Sequence, residues 1–353
     1  MRFKKFSFIV IACVLLLVGT VTMAGTVKQI GTTGASELLI PVGVRSAALG
    51  GANVAGAIGV DAIYVNPAGA SVLKKNTEAV LTYQNYLADI NIAYVSAMTS
   101  LGAFGNLGLS VRTLNFGDIA QTTWDAPEGT GTTFSPSYLT MGVTYGRRFT
   151  DRIFFGVNVN VVSEKIMSTS ATGVGLDLGL QYVNDATGLR LGVALVNFGT
   201  GMKYSGSDLE DRVQLPGTEA GSTPGSFQIV ASSAQLPTQL KIGVTYDWDF
   251  NEDNLLSISG AFYNNNSFNN QYIAGLEYGF RNMLFLRGSY SVGFLESDEE
   301  TKFVGMSQEY MYGPAFGAGF VLGAGGMDLR VDYTYRITEF FDDIQMFGFI
   351  FSF

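Results

Sequence analysis

The sequence contains no histidine and a single cysteine, Cys13. Histidine is the commonest general base and metal ligand, and without it the Ser–His pairing of many hydrolases cannot form. If the leader described below is cleaved, the mature chain also lacks a thiol, which excludes disulfides, a cysteine nucleophile and cysteine-ligated metals. We therefore expect a protein that is not an enzyme and that binds no cofactor or metal.

Charge is also scarce, and it has an acidic excess. Charged residues make up 14% of the chain and the net charge is −9, whereas typical soluble domains carry roughly 25% charged residues. Nucleic-acid binding relies on clustered lysine and arginine that neutralise phosphates. Nucleic acid is therefore disfavoured as a partner.

Residues 1–24 have the form of a secretory signal peptide. Three basic residues precede an apolar run over 6–18, and small residues precede the expected cleavage point. One alternative is a retained transmembrane helix, for which the apolar run is short. Another is a lipoprotein acylated at Cys13, although the apolar run continues past that residue. The signal peptide predicts an exported protein.

Beyond residue 24 the chain lacks any apolar run that approaches the roughly 20 residues of a spanning helix. It is nevertheless 47% hydrophobic, with 44 glycines, 26 phenylalanines and 17 tyrosines, a composition that favours strands. An exported, apolar chain without spanning helices has one solution in a membrane. That solution is a closed barrel, in which every backbone amide pairs with a neighbouring strand.

From residue 76 onwards apolar and polar residues alternate, as in strands with one face towards lipid and the other towards water. Met327 and Leu329 fall on one face, for example, and Asp328 and Arg330 on the other. A soluble β-sandwich also alternates, but aromatic residues at the apolar strand ends are typical of membrane girdles. The same pattern recurs at 174–182, 240–248 and 272–280.

This pattern predicts an all-β fold, a fourteen-stranded antiparallel transmembrane β-barrel over residues 76–353. The strands are predicted near 77–86, 90–100, 104–116, 136–149, 152–165, 172–183, 188–198, 238–249, 253–264, 270–280, 283–294, 312–322, 326–338 and 343–353. Long connections are expected at 117–135, 199–237 and 295–311, and intermediate ones at 87–89, 166–171, 265–269 and 339–342. Because such barrels place short turns in the periplasm, we expect the long, acidic loops at the cell surface, either as a solvated surface or as a docking site.

The final strand ends on aromatic residues that share the predicted lipid face, namely Phe349, Phe351 and Phe353. Such a strand resembles the signal that the barrel-assembly machinery recognises, although it is also compatible with a plain apolar strand end. We expect the outer membrane as the location. Outer-membrane lipid and the assembly machinery are the expected partners.

The stretch 25–75 does not alternate. It is rich in glycine and alanine, and a turn is predicted at Asn66, Pro67, Ala68 and Gly69. We expect it to lie in the lumen as an N-terminal hatch, with Arg45 paired to an inward carboxylate. The alternative is a disordered periplasmic leader, which the apolar content of the stretch disfavours.

Inward-facing charges of both signs are expected to form a salt-bridge lattice that holds the barrel and the hatch together. This interpretation is favoured over a substrate path, because a selective pore more often shows a ring of one sign. The predicted network comprises Asp177, Lys241, Glu277, Arg287, Asp328, Arg330, Asp332 and Arg336, with Arg112, Arg190 and Asp247 as further lumen candidates.

The runs 36–41, 43–52 and 66–69 resemble the opening of the PorV/PorQ family, which belongs to the wider group of FadL-like outer-membrane barrels. The resemblance implies fourteen strands and a hatch in the lumen. PorV-type members imply a binding or shuttle component of the type IX secretion system, with cargo signal domains and secretion-system components as partners, and PorQ-type members imply an attachment component. The alternative is a FadL-like channel for uptake or export of hydrophobic compounds.

These two functions predict different lumens. A scaffold of a secretion apparatus needs a plugged lumen and loops built for partner contact. A channel for hydrophobic compounds needs an apolar pocket and an opening in the barrel wall or a kinked hatch.

Overall fold

The computed structural model describes residues 31–213, 217, 223, 225–296, 301–304 and 310–353. The predicted signal peptide and most of the acidic connection 295–311 lie outside these residues. In the part of the chain that is described, no helix is both long and apolar enough to cross a bilayer.

Fourteen antiparallel strands form a closed sheet, with each strand hydrogen-bonded to its two neighbours in the chain and the last strand paired with the first. In order, β1 to β14 are Thr77–Asn85, Asn91–Ser100, Asn106–Asn115, Ser137–Arg148, Ile153–Ile166, Thr169–Asn184, Leu189–Gly199, Gln239–Asn251, Asn254–Asn265, Asn270–Phe280, Leu284–Glu296, Tyr312–Ala324, Met327–Thr338 and Ile344–Ser352. The predicted fold class is confirmed.

Buried and exposed residues alternate along the strands, because one face is turned outwards and the other covers the lumen. In β3 every second residue is buried, and in β2 the buried positions include Ile92, Tyr94 and Met98. Strand β1 pairs with β14 in the register Thr82 to Gly348, which closes the barrel. Closure leaves no sheet edge to be satisfied by lipid.

The predicted strands differ from the observed ones mainly at their ends. The intermediate connection predicted at 166–171 is wrong, because β5 and β6 continue to a tight turn at Met167 and Ser168. Met167 adopts a left-handed conformation with φ of 53°, which permits this turn without a glycine. The predicted start of β3 is also two residues early, since Gly102–Phe104 forms a single 3₁₀ turn.

The connections at the two ends of the barrel differ in length. The turn end carries the connections 101–105, 149–152, 185–188, 252–253, 281–283 and 325–326, and the loop end carries the others. Two loops contain short hairpins of their own, Ile119–Ala120 with Thr133–Phe134 and Glu210–Val213 with Gly225–Gln228. The long loops thus have local structure that alternation alone did not predict.

The N-terminal segment, residues 31–76, contains no strand and folds into short helical turns. Two are α-helical, α1 (Val44–Ala48) and α2 (Ala62–Val65), and four are 3₁₀ turns at Ser36–Leu39, Ala52–Ala55, Gly59–Asp61 and Pro67–Ser71. Gly50 and Gly51, between α1 and the Ala52–Ala55 turn, and Gly59, the first residue of the following turn, have positive φ angles that let the chain change direction within a narrow space.

The buried core lies inside the barrel and joins the N-terminal segment to the inward faces of the strands. Its largest apolar cluster contains Ile40, Val42 and Ile63 of the segment together with Ile92 and Met98 of β2. At the loop end, Met202 and Leu236 of the connection 200–238 pack on Ala35 and Leu38. The segment therefore replaces solvent across much of the lumen.

Candidate functional site in the barrel lumen

Inward glycines provide the room that the N-terminal segment occupies. A Cβ atom on Gly156 would lie 1.9 Å from the carbonyl oxygen of Pro67, and one on Gly179 would lie 2.1 Å from Oδ1 of Asn66. On β4, a Cβ atom on Gly146 would lie 2.4 Å from the backbone nitrogen of Ser71. These contacts seat the Pro67–Ser71 turn directly on the backbone of β4, β5 and β6.

Asn66 fixes this turn from within. Its side-chain oxygen accepts a hydrogen bond from the Ala68 amide at 3.1 Å, as the predicted turn requires. Its side-chain nitrogen donates to the carbonyl oxygens of Val54 at 2.9 Å and Leu180 at 3.2 Å. The buried side chain of Asn66 thereby connects two parts of the segment with strand β6. In the same turn, Gly69 lies so close to the Ala57 carbonyl oxygen that a side chain at this position would not fit.

A chain of ion pairs begins and ends on the N-terminal segment. The Arg45 guanidinium donates to Glu277 on β10 at 2.8 and 2.7 Å, and Arg287 on β11 donates to the same carboxylate at 2.5 Å. Arg287 also donates to Asp332 on β13 at 2.6 Å. The chain therefore crosses three barrel strands before it returns to the segment.

The return runs through Arg330 on β13. Arg330 donates to Asp332 at 2.7 Å and pairs with Asp61 of the segment. The six residues carry three positive and three negative charges, and most are almost completely buried. Buried charges of this kind are tolerated only when each has a partner in good geometry. The chain therefore latches the segment to the barrel wall at two points.

Four predicted network residues lie in other environments. Asp328 is at the turn end, where it pairs with Lys75 at 2.9 Å. Asp177 accepts hydrogen bonds from Asn158, Asn160 and the Asn197 amide, at 2.8, 2.8 and 2.6 Å, and not from an arginine. The remaining two cations pack on aromatic rings. Lys241 lies over the rings of Tyr64 and Tyr263, and Arg336 lies over the ring of Tyr312.

The further lumen candidates are also separated. Arg190 pairs with Asp247 at 2.8 Å near the turn end. Arg112 donates to the Glu37 carbonyl oxygen at 2.6 Å and forms no ion pair within 4.0 Å among the described residues. The predicted network is thus one latch plus several local contacts.

Sequence reasoning missed several buried acids that hold the N-terminal segment. Glu78 accepts hydrogen bonds from the Val60 and Lys74 amides at 3.2 and 2.9 Å, and Glu164 accepts one from the Ala35 amide at 3.0 Å. Strand alternation places both on the inward face, so that signal could have identified them. Asp61 and Glu37 lie outside the strands and carry no such signal.

Glu37 lies beside Glu164 and is almost fully buried, and neither oxygen of its carboxylate has a hydrogen-bond donor in the described residues. Burial, with the neighbouring Glu164 carboxylate, raises the pKa of Glu37 to about 8. The hydroxyl of Tyr204, from the connection 200–238, donates to Glu164. This acidic pair therefore joins the segment, β5 and a long loop.

Cavities remain in the lumen among the described residues. One, of about 440 Å³, lies towards the turn end and is lined by charges of both signs, including Arg45, Asp61, Glu277, Arg330 and Lys74. A smaller one, of about 20 Å³, lies between the segment and β2 to β8. Within the described residues, no group of three or more histidine, cysteine, aspartate or glutamate side chains is arranged to hold a metal ion.

The barrel wall has a seam between β11 and β12. The two strands pair from Leu284–Phe320 to Ser289–Ala315. The loop-end part of β11, from Gly293 to Glu296, pairs instead with the short strand Thr301–Val304. Tyr310 lies inside the seam, where its hydroxyl hydrogen-bonds with Ser291 at 2.9 Å. Pro314 has no amide hydrogen and cannot extend the pairing. The β3 strand, in contrast, pairs along its whole length with β2 and β4.

The terminal strand presents its aromatic residues outwards. Phe349 is 39% and Phe353 is 54% exposed, and Phe351 is half-buried, whereas Met346 and Ile350 face the lumen and are buried. The outward face of the barrel is apolar over most strands, as contact with lipid requires.

No protein-family model and no curated protein sequence matches this chain. Several solved structures do. A mutant of the TodX monoaromatic hydrocarbon channel matches with a TM-score of 0.54 and 14% identity over 88% of this chain and 97% of the channel. The Pseudomonas putida toluene transporter TodX matches with a TM-score of 0.51 and 12% identity over 84% of this chain and 94% of the transporter.

A Pseudomonas aeruginosa FadL homologue also matches, with a TM-score of 0.49 and 11% identity over 93% of this chain and 98% of the homologue. The two TodX matches show that this chain shares the barrel fold of these channels.

Proposed function

We propose that this protein is a FadL-type outer-membrane channel for small hydrophobic compounds, closed in this state by its N-terminal segment. The observation that carries the proposal is the likeness of the whole barrel to channels for monoaromatic hydrocarbons. Fold alone does not define a substrate, so the proposal also depends on the chemistry of the lumen and of the wall.

Several inward residues of β1 to β3 are apolar and form one cluster, although this face of the lumen also carries polar residues, namely Glu78, Thr82, Gln84, Ser96, Asn106, Ser110 and Arg112. Val42 and Ile63 of the segment pack there against Ile92 and Met98 of β2 and Leu114 of β3. If the segment moves away, this cluster offers apolar contacts to a hydrocarbon, because apolar surface is its preferred environment. The charged latch lies on β10, β11 and β13, so it holds the segment without using these apolar side chains.

The seam between β11 and β12 supports the same proposal. A hydrophobic compound that leaves the lumen through the wall enters the bilayer without crossing a polar surface. Met311 and Tyr312 border the seam and pack against Ile344 and Met346. Tyr310 closes it from inside through its hydrogen bond to Ser291.

The test is uptake of toluene and of a long-chain fatty acid by intact cells that carry the folded protein in their outer membrane, measured against uptake of glucose. Arg45→Met removes one end of the latch, and it should raise uptake of the hydrophobic compounds more than that of glucose. Lys75→Met is the matched control, because it removes only the partly exposed contacts with Asp328 and the Gly326 carbonyl oxygen. Uptake equal to that of cells without the protein for all variants would contradict the channel.

A second candidate function is a binding or attachment component of the type IX secretion system, as the PorV/PorQ resemblance of residues 36–73 implies. Exposed apolar side chains at the loop end favour it: Trp124 is 99%, Ile229 is 65% and Val230 is 71% exposed. Large exposed apolar residues on loops often mark protein interfaces. The unbroken pairing of β3 and the polar cavities also fit a sealed scaffold.

Deletion of the hairpin 119–134 separates the two functions. For a secretion component, the deletion should reduce surface display of secreted cargo in the native cell while the barrel stays folded. For a channel, cargo display should be unchanged. A protease site inserted in 119–134, but not one in 185–188, should be cleaved on intact cells if the loops lie outside.

A further inference from the structure

The small cavity of about 20 Å³ between the segment and β2 to β8 is lined by several polar groups whose hydrogen bonding is incomplete. In the described protein, the Arg112 Nε, the Tyr94 hydroxyl and the Thr140 hydroxyl are buried and have no hydrogen-bond partner. All three residues line this cavity. Buried polar groups nearly always have partners, so three orphaned groups around one space indicate that something else occupies it.

Lys241 adds a second cation to the same cavity. The residue is 1% exposed, and within the described residues its ammonium group makes one hydrogen bond, to the Tyr64 carbonyl oxygen, which is long at 3.4 Å. The guanidinium of Arg112 and the ammonium of Lys241 both lie against the Tyr64 ring, at 5.7 and 4.7 Å from its centroid. Two cations from β3 and β8 thus meet at one residue of the N-terminal segment.

Acceptors are scarce in this cavity. Asp177 is the one carboxylate that lines it, and Asn158, Asn160 and the Asn197 amide already donate to its oxygens. Glu37 and Glu164 lie outside the lining, and Glu164 already accepts from Ala35 and Tyr204. The cavity wall therefore carries two cations against one carboxylate, with more unused donors than acceptors.

We infer that this cavity binds a single halide-sized anion, which accepts hydrogen bonds from Arg112, Lys241, Tyr94 and Thr140. The volume exceeds the roughly 10–15 Å³ that one water molecule needs, so the cavity has room for a single small anion. A buried anion offsets the excess positive charge that would otherwise be costly to desolvate. The site goes beyond the proposed function, because it concerns how the segment is held and not what crosses the membrane.

Such an anion would tie the wall to the segment. Arg112 also donates to the carbonyl oxygens of Glu37 and Ile40, so an anion that orders its guanidinium also orders the start of the segment. A ligand that binds only the folded state stabilises that state in proportion to the logarithm of its concentration. Chloride should therefore stabilise the closed barrel.

The direct experiment is anomalous diffraction from crystals of the full-length protein soaked in bromide. We expect a bromide peak in the cavity for the wild-type protein. Thr144→Val is the matched control and should keep the peak, because Thr144 lies on β4 like Thr140 but its hydroxyl donates to Asn158. Lys241→Met should lose the peak. Density for water alone in the wild-type cavity, with no bromide peak, would overturn the inference.

A second measurement in solution does not depend on crystals. The unfolding temperature of the detergent-solubilised barrel should rise as chloride replaces gluconate at constant ionic strength, and this rise should be absent in Lys241→Met. Thr140→Val and Tyr94→Phe each remove one donor, and each should weaken the chloride response if Lys241→Met fails to assemble. An equal response in the wild-type protein and all of these variants would reject the site.

Discussion

Arg45 of the N-terminal segment and Glu277 of β10 form a two-point ion pair across the lumen, with Nε–Oε2 and Nη2–Oε1 distances of 2.8 and 2.7 Å. The residues are 232 positions apart in the sequence. Because Glu277 also binds Arg287, and Arg287 and Arg330 share Asp332, this pair belongs to a latch that returns to the segment at Asp61.

The latch predicts unequal costs for the two partners of its Arg45–Glu277 pair. Glu277→Gln leaves Arg45 without a carboxylate and removes one of the two carboxylates that Arg287 binds, so it should lower the free energy of unfolding by about 3–5 kcal/mol. Arg45→Met should cost less, because Glu277 keeps its pair with Arg287. Urea unfolding of the refolded barrel measures both, with Lys75→Met as a control that should cost at most about 1 kcal/mol. Equal losses for Arg45→Met and Glu277→Gln would contradict the shared carboxylate.

The inward glycines predict a steric effect. Gly156→Ala or Gly179→Ala would place a methyl group on Pro67 or Asn66, so the Pro67–Ser71 turn must move. We expect each to destabilise the folded barrel by about 1–3 kcal/mol, as overpacking usually does. Gly260→Ala is the control, because the nearest atom to its added Cβ would be 3.9 Å away. Proteolysis of the segment should be faster in Gly156→Ala and Gly179→Ala and unchanged in Gly260→Ala. An unchanged rate in all three variants would be evidence against the close contact between the Pro67–Ser71 turn and the barrel strands.

The acidic pair at Glu37 predicts a pH dependence of stability. Its pKa is about 8 in the folded protein against 4.5 as the ordinary value. Between these values the unfolded chain loses the proton and the folded protein keeps it, so the free energy of unfolding should fall as pH rises, by up to about 1.4 kcal/mol per unit. Glu37→Gln should flatten this slope.

Urea midpoints between about pH 5 and pH 8 measure this dependence. Glu128→Gln, at an exposed position in the loop 116–136, is the control and should keep the wild-type slope. If the free energy of unfolding of Glu37→Gln falls with pH as steeply as that of the wild-type protein, a group other than Glu37 causes the pH dependence.

The terminal strand predicts an assembly defect. Changing Phe351 and Phe353 to Asp puts two carboxylates on the outward face of β14, which pairs with both β13 and β1. Charge on the lipid face costs up to a few kcal/mol, depending on depth, and the aromatic terminus is the proposed assembly signal. We expect little heat-modifiable barrel in the outer membrane. Phe227→Asp, in a loop hairpin, should assemble normally, and normal yields for both variants would refute the signal.

The strands could be predicted from the sequence because a barrel in lipid requires alternation on every strand, so each strand carries its own signal. The partner of Arg45 could not be chosen in this way. Asp177, Glu277, Asp328 and Asp332 all face inwards, and the choice depends on the path of a segment that has no periodicity.

Asp177 shows why the predicted network was too broad. Its charge is satisfied locally by Asn158, Asn160 and the Asn197 amide, the last at a bulge between β6 and β7. Bulges are set by pairing between strands and leave little trace in the sequence of either one. Asp61 was missed for a different reason, since it lies in a 3₁₀ turn where alternation gives no direction.

The central claim is that the N-terminal segment closes the lumen, and single-channel conductance in planar bilayers tests it most directly. Deletion of residues 27–60 removes Arg45 and the apolar turns while it leaves all fourteen strands. We predict that the intact protein conducts little, and that the deletion variant forms a stable ion-conducting pore. Equal conductance for the two folded proteins would contradict the claim.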